Sequence, residues 1–393
     1  MTFKTRDLPA VETALADAIE RLGALDLGDA FEPKAAEAIV GSGLHRLVVP
    51  VSAGGLGARM TDAVEVLMAL GALDGSTALG FAMQVHVVGA LVDAAGVPTA
   101  LRERVFRAIV DDGALVNNAA TEDGGGSPAR GAIPGATAVP DADGSWRLTG
   151  EKSWTTWLLN LTHAFVSANV THTDPVEVGV WLVDLAMDGV VRRPGFEAMG
   201  MRGSASGRLG LDGVQVPADA LLMRRSVAEE DPRGPAPGAW FGVAMAGTYL
   251  GVGEGAREDV ARWALDRRPG DGKAPVAEIP SVRLRLGRLD ADLRAARIVV
   301  LDVARRWDAA IAEGDAAGQA AVAADVALAK LVATRAAVSA TDEALRIAGG
   351  PGFLAGRLER AFRDARAGLI NPPLEDVALA GFARAVLDRS ALT

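Results

Sequence analysis

The period of the apolar positions changes twice along this chain. Up to about residue 115, AVETALADAIERLGAL, PKAAEAIVGSGL, MTDAVEVLMALGAL and TALRERVFRAIVDD carry apolar residues at i, i+3 and i+4. That spacing gives a helix one oily face, so helices are predicted here. Glycine-rich turns such as SAGGLGA at 52–58 separate them. From about 116 to 228 the period falls to two. SWRLTGEKSWTT, HAFVSANV, VEVGVWLVDL and RLGLDGVQV alternate, with DADG and MDG as turns, which predicts a small antiparallel β domain. From about 237 the helical period returns in longer, Ala-rich stretches with mixed charges on one face. These suit a helical bundle packed within a subunit or between subunits.

Composition narrows the chemistry. The chain has 393 residues, half of them hydrophobic, enough for a large core and two or three domains. No apolar run approaches the roughly 20 residues that span a bilayer. The first residues are polar and amphipathic rather than signal-like, so no membrane partner and a cytoplasmic location are expected. The absence of cysteine excludes disulfides, thiolate catalysis and iron–sulfur clusters. The four histidines, His45, His86, His163 and His172, show no metal-ligand spacing, so no metal is expected. A net charge of −10 argues against a nucleic-acid partner. Reactivity is left to carboxylates, hydroxyls, a few histidines or a borrowed cofactor.

Three motifs point elsewhere than they first suggest. GVGEGA at 251–256 fits a dinucleotide fingerprint, but it lies inside a helical pattern with no strand before it. Small residues for close helix packing are the better reading. PGDGKA at 269–274 lacks the first glycine and the Ser/Thr of a P-loop and reads as a loop. GGPGF at 349–353 reads, by itself, as a helix stop.

Four segments taken together change the picture: AATEDGGGS at 119–127, GEKSWTTW at 150–157, MGMRGSASGRLGLDGVQVPADALL at 199–222, and RIAGGPGFLAGRLERAFRDAR at 346–366. In this order, with the helix–β–helix zones, the chain resembles the acyl-CoA dehydrogenase superfamily over nearly its whole length. The resemblance implies an α+β, mostly α fold: an N-terminal helical domain (1–115), a middle antiparallel β domain (116–228) and a C-terminal four-helix bundle (229–393). It also implies FAD, a small-molecule substrate such as acyl-CoA or a carrier-bound acyl group, and a dimer or tetramer. By the same resemblance, Thr121 and Ser127 match positions that hydrogen-bond the flavin and its pyrophosphate. Trp154 matches a tryptophan beside the ring and Thr156 a hydroxyl near it. Glycines 124–126 would let backbone N–H groups approach phosphate. Arg267, Gly349 and Gly350 match residues that reach the cofactor of a neighbouring subunit. Two family positions depart: PGDG replaces a phenylalanine and glycine, and Pro280 stands where a glutamine would touch the cofactor. These departures leave FMN open beside FAD.

The catalytic glutamate of that family is missing. Counting from Arg363-Asp364-Ala365-Arg366, its loop falls on Asn371, Pro372, Pro373 and Leu374. The second location used in the family falls near Trp240 and Phe241. Glu375 and Asp376 lie about one helical turn beyond the first location, and a shifted loop would give one of them a raised pKa as a base. Alternatively, PPLED starts the last helix, with acids in its first turn. His86, in FAMQVHVV, is a further candidate base or donor, or a core histidine. Glu254 is a weaker candidate. Two reactions stay open: α,β-dehydrogenation of an acyl thioester with a displaced or absent base, and flavin-dependent monooxygenation of a non-CoA small molecule. A DNA-binding flavoprotein of the same fold is disfavoured by the acidic charge.

Overall fold

The computed structural model describes residues 8–124, 132–269 and 274–391. The N-terminal part folds as α1 (Pro9–Gly23), α2 (Pro33–Gly41), α3 (Met60–Leu73), α4 (Gly75–Asp93) and α5 (Thr99–Asp112). Then come β1 (Val116–Ala119), β2 (Thr137–Pro140), β3 (Trp146–Thr155), β4 (His163–Val170), β5 (Glu177–Asp184), β6 (Val190–Arg193), β7 (Gly207–Val216) and β8 (Leu221–Ser226). The chain ends in α6 (Ala236–Asp266), α7 (Pro280–Glu313), α8 (Ala316–Ala348), the short α9 (Gly350–Phe353), α10 (Arg357–Ile370) and α11 (Glu375–Ala391).

The helix α4 corrects one expectation. It is 19 residues long and apolar enough to cross a bilayer, yet 94% of that apolar window is buried inside the protein. It is the central core helix. Its Gln84 accepts from Val116 N at 2.8 Å and donates to His45 O at 2.8 Å, tying the first strand to the N-terminal helices. Glycines on α4 receive two indoles. A Cβ on Gly80 would come 2.0 Å from Trp157, and one on Gly89 2.1 Å from Trp240. At its end, Asp93 accepts from both Trp240 Nε1 and Trp307 Nε1 at 2.8 Å, fixing α4 to α6 and α7.

The sheet runs β6-β7-β3-β2-β4-β5-β8, with β1 also on β4. It is mixed rather than purely antiparallel, because β1 and β2 both pair parallel to β4. They occupy successive stretches of one β4 edge: β1 against His163–Val166, β2 against Asn169 and Val170.

The glycines of GVGEGA lie within α6: Gly251 and Gly255 face α3, and Gly253 faces α7 and α8. A Cβ on Gly251 would stand 2.3 Å from Met68 O, and one on Gly255 2.4 Å from Ala72 O. The motif is therefore a backbone-to-backbone helix contact. Across the same boundary, the Asp308 carboxylate on α7 accepts from Met60 N, Thr61 N and Thr61 Oγ1, capping α3.

Gly251→Val should force α3 from α6 and cost more than about 2 kcal/mol. Gly287→Ala, where an added Cβ meets nothing within 4 Å, should stabilise by about 0.5–1 kcal/mol. Urea titration of both variants checks the pair.

Candidate active site

Backbone strain is concentrated at one junction. Among the described residues, five non-glycines have positive φ: Trp154, Trp157, His172, Met201 and Ala205. Two of them lie at the end of β3 and just beyond it, two in the segment that faces it. Each such conformation costs of order 1 kcal/mol or more, so tertiary contacts have to impose it. Trp157 N donates to Ser204 O at 2.9 Å, and the Trp157 indole is locked over Gly80. Met201 N donates to the Asp364 carboxylate of α10. Gly200 lies so close to α10 that a Cβ would be 2.3 Å from Arg363 O, while Arg363 Nη1 donates to Met199 O at 3.1 Å. The Arg363-Asp364 pair thus holds the 199–206 segment against the sheet.

The junction presents an aromatic face and hydroxyls. Trp154 is 49% exposed and stands edge-to-face with Phe196 at 5.5 Å. It is not a core tryptophan; Trp146 and Trp181, with ring centres 5.2 Å apart, fill that role. Thr156 Oγ1 and Ser206 Oγ lie 2.9 Å apart, as do Ser206 Oγ and Ser204 Oγ. Thr121 O accepts from Ser153 N at 2.8 Å, and the next residue, Glu122, pairs with the fully buried Lys152. Thr121, Trp154 and Thr156 are therefore brought together. The buried hydroxyls of Ser153 and Thr155 have no partner among the described residues. An open indole and positioned hydroxyls fit a flat polar ring such as flavin. Gly124 has φ +78°, a left-handed turn suited to glycine. Ser127, with Gly125 and Gly126, lies outside the described residues.

A cleft lies on the opposite face of β1. Asn117 Nδ2 donates to Thr156 O at 3.2 Å, while its neighbour Asn118 points the other way and lines this small cleft with His86 and Arg233. The His86 ring meets Phe241 edge-on at 5.0 Å. Burial lowers its pKa to about 3, so the imidazole is neutral at ordinary pH. Its Nε2 is buried without a partner among the described residues. The structure thus brings His86 to Phe241, one of the two residues at the family's second base location.

The acids behave differently. Glu375 and Asp376 form the first turn of α11, as the alternative reading of PPLED expected. Glu375 is paired with Arg335, and this hydrogen bond lowers its pKa, opposite to the rise a shifted base would need. Asp376 is exposed. The loop before them is fixed: Lys330 Nζ donates to Gly368 O at 2.5 Å and Asn371 O at 2.6 Å, and Asn371 Nδ2 donates to Tyr249 Oη. Burial lowers the Lys330 pKa to about 8. Glu254 is buried, and burial raises its pKa, but its carboxylate is held by Arg297 at 3.1 Å, on the α7 side of α6. Arg267, Gly349 and Gly350 are exposed and stand outside the Trp154 junction of this chain. Gly349, with φ +62°, also ends α8, as a helix stop should.

The fold and this junction define a flavin-dependent oxidoreductase. Comparisons with known proteins give the family. Residues 117–214 match the acyl-CoA dehydrogenase middle domain and residues 241–372 its C-terminal domain. A putative acyl-CoA dehydrogenase, YdbM of Bacillus subtilis, is 31% identical over 86% of this chain and 85% of its own. The amino sugar nitrososynthase DnmZ of Streptomyces peucetius is 29% identical over 92% and 86%. The structure of KijD3 with FMN and a dTDP-linked amino keto sugar superimposes with a TM-score of 0.85, at 25% identity, over 97% of this chain and 94% of that one. The chain belongs to the acyl-CoA dehydrogenase family, and its cofactor is a flavin.

Sequence reasoning did not single out Asn117, Asn118, Ser204, Ser206, Phe196, Arg233 or the anchoring role of Asp364. The dipeptide Asn117-Asn118 at the composition change was the available signal.

Asp364 gives a pH test. Burial, then the nearby Asp74 charge, raise its pKa to about 7, against the Met201 N–H and Arg360. The folded protein therefore binds a proton that the unfolded chain releases, so this group's contribution falls as pH rises from about 4 to 7. Asp364→Asn keeps an acceptor for Met201 N and should be at least about 1 kcal/mol more stable than the parent at pH 8. The two should converge near pH 4. Denaturation across that range checks the difference; parallel curves would contradict it.

Proposed function

We propose that this flavoprotein oxidises a small molecule with oxygen rather than desaturating an acyl thioester through a carboxylate base. One observation carries the reading. Counted in the sequence from Arg363, the position of the family's base falls on Asn371, Pro372 and Pro373, and the next acid, Glu375, is engaged with Arg335. Proline has no proton-accepting side chain, and a carboxylate with a lowered pKa is a weaker base. DnmZ, named for an amino sugar rather than a thioester, supports the same reading.

Flavin supplies two-electron redox chemistry and, when reduced, reactivity toward oxygen. With a reduced nicotinamide as electron source, one oxygen atom enters the substrate. The other leaves as water, taking two electrons and two protons. The protein's part is to position and to exclude water. Trp154 walls the ring, Thr156 offers a hydroxyl steadied by Ser206, and Asn117 fixes the Thr156 carbonyl. His86, neutral at ordinary pH, offers one donor and one acceptor through its two ring nitrogens without adding charge.

FAD is the preferred flavin in this reading, with FMN as the variant that the Pro280 and PGDG departures favour. A homo-oligomer belongs to the reading too. Phe353 and Leu354, beside Gly349 and Gly350, are 81% and 69% exposed, and Ile298 is 68% exposed. A neighbouring subunit would cover such a surface and complete the cofactor's far end.

The second reading, thioester dehydrogenation, is favoured by YdbM's name. Anaerobic mixing of the flavin-loaded protein with an acyl-CoA panel separates the two. The flavin colour should persist in both the parent and Glu375→Gln, whereas reduced nicotinamide plus oxygen should yield oxygenated product. Bleaching by an acyl-CoA, lost in Glu375→Gln, would establish the dehydrogenase instead.

A further inference from the structure

The turn that presents Trp154 is a bulge in the sheet. Lys152 pairs with Leu209 of β7 and Thr155 with Gly207, so two residues, Ser153 and Trp154, stand opposite Arg208 alone. A bulge bends its strand and re-aims a side chain, which is how an indole on β3 comes to be half-exposed at φ +56°. It also leaves a residue out of the ladder, so another contact has to hold the turn. Ser153 N donates to Thr121 O at 2.8 Å, across to the segment that follows β1.

One carboxylate secures that segment. Glu122 accepts from Gly135 N at 2.6 Å, from Ala136 N at 3.1 Å and from Lys152 Nζ. Lys152 is completely buried and also donates to Ser167 Oγ of β4 at 3.3 Å. Ala136 leads into β2, and a Cβ on Gly150 of β3 would stand 2.6 Å from Ala136 Cβ. The pair therefore joins 121–122, 135–136 and β3 at the last residue before the bulge. A buried ion pair is often no more stabilising than an apolar pair of the same shape. What it gives is a single arrangement, because an ammonium shut off from water is tolerated only with its partner in place. The exposed bridges of Arg208 to Asp123 and Glu151 flank the same turn, but pairs in solvent fix little.

We propose that Glu122 and Lys152 are positioning residues for the flavin: their ion pair sets the bulge at Ser153 and Trp154, and with it the aim of the Trp154 indole. They act through Trp154, and they contribute to flavin affinity more than to stability. This rests on the reading of the Trp154 junction as the flavin seat and is independent of which reaction the flavin carries out.

Titration of the full chain with oxidised FAD and FMN, read by flavin fluorescence alongside thermal melts, tests this without turnover. The paired exchange of Glu122→Gln with Lys152→Met removes both charges at nearly constant volume. It should melt within a few degrees of the parent, whereas Lys152→Met alone strands a buried carboxylate and should melt well below it. The paired exchange should bind flavin at least about fivefold more weakly, the worth of one aromatic contact. Trp154→Ala should weaken binding as well. Adding the paired exchange to Trp154→Ala should change affinity by less than about twofold, because two changes that act through one contact do not add. The proposal is overturned if the paired exchange binds flavin as the parent does, if its loss adds in full to that of Trp154→Ala, or if it melts far below the parent, which would make the pair a support of the fold alone. Flavin binding untouched by Trp154→Ala would instead remove the seat itself, and the proposal with it.

Discussion

The structure depends on the contact between α10 and the 199–206 segment. Met201 and Ala205 are held in left-handed backbone, which costs energy. The Asp364 carboxylate on Met201 N, the backbone approach at Gly200 and the Trp157–Ser204 bond supply the constraint from outside. Their combined effect is to fix Ser206 beside Thr156 and to leave Trp154 open to solvent. A bundle helix thus sets the shape of a site that the sheet displays, and neither part would form it alone.

The same principle explains the loop after α10. In a protein that relies on a carboxylate base, this loop must aim an acid at the substrate. Here Lys330 caps the end of α10, and Asn371 is tied to Tyr249. The prolines then redirect the chain so that Glu375 meets Arg335. On the α4 side of the bundle an uncharged imidazole, His86, packs against Phe241. Such surroundings favour chemistry driven by the cofactor, with the protein excluding water and fixing orientation.

Much of this was legible in the sequence, for physical reasons. The change of period from helix to strand and back is a burial signal that needs no partner residue, and it located all three zones. The GVGEGA segment was readable as a packing motif because its context was helical. The mixed pairing of the sheet was not readable, since β1 and β2 are short and share one edge of a distant strand. Nor was α4 weighed as an apolar run, because its small and polar residues hide a 19-residue stretch that is buried on all sides. The acids at 375 and 376 show the limit most clearly. A carboxylate's role depends on the cation beside it, and Arg335 is 40 residues away in sequence. His86 could be named but not placed, because its partner Phe241 and its cleft exist only after folding.

The central claim is that the strained junction is a preformed seat for the flavin ring. A crystal structure of the flavin-loaded protein tests it most directly. The ring should lie against Trp154 with its edge at Thr156, and Met201 and Ala205 should keep positive φ. A ring seated elsewhere, or those two residues relaxed into ordinary backbone, would contradict it.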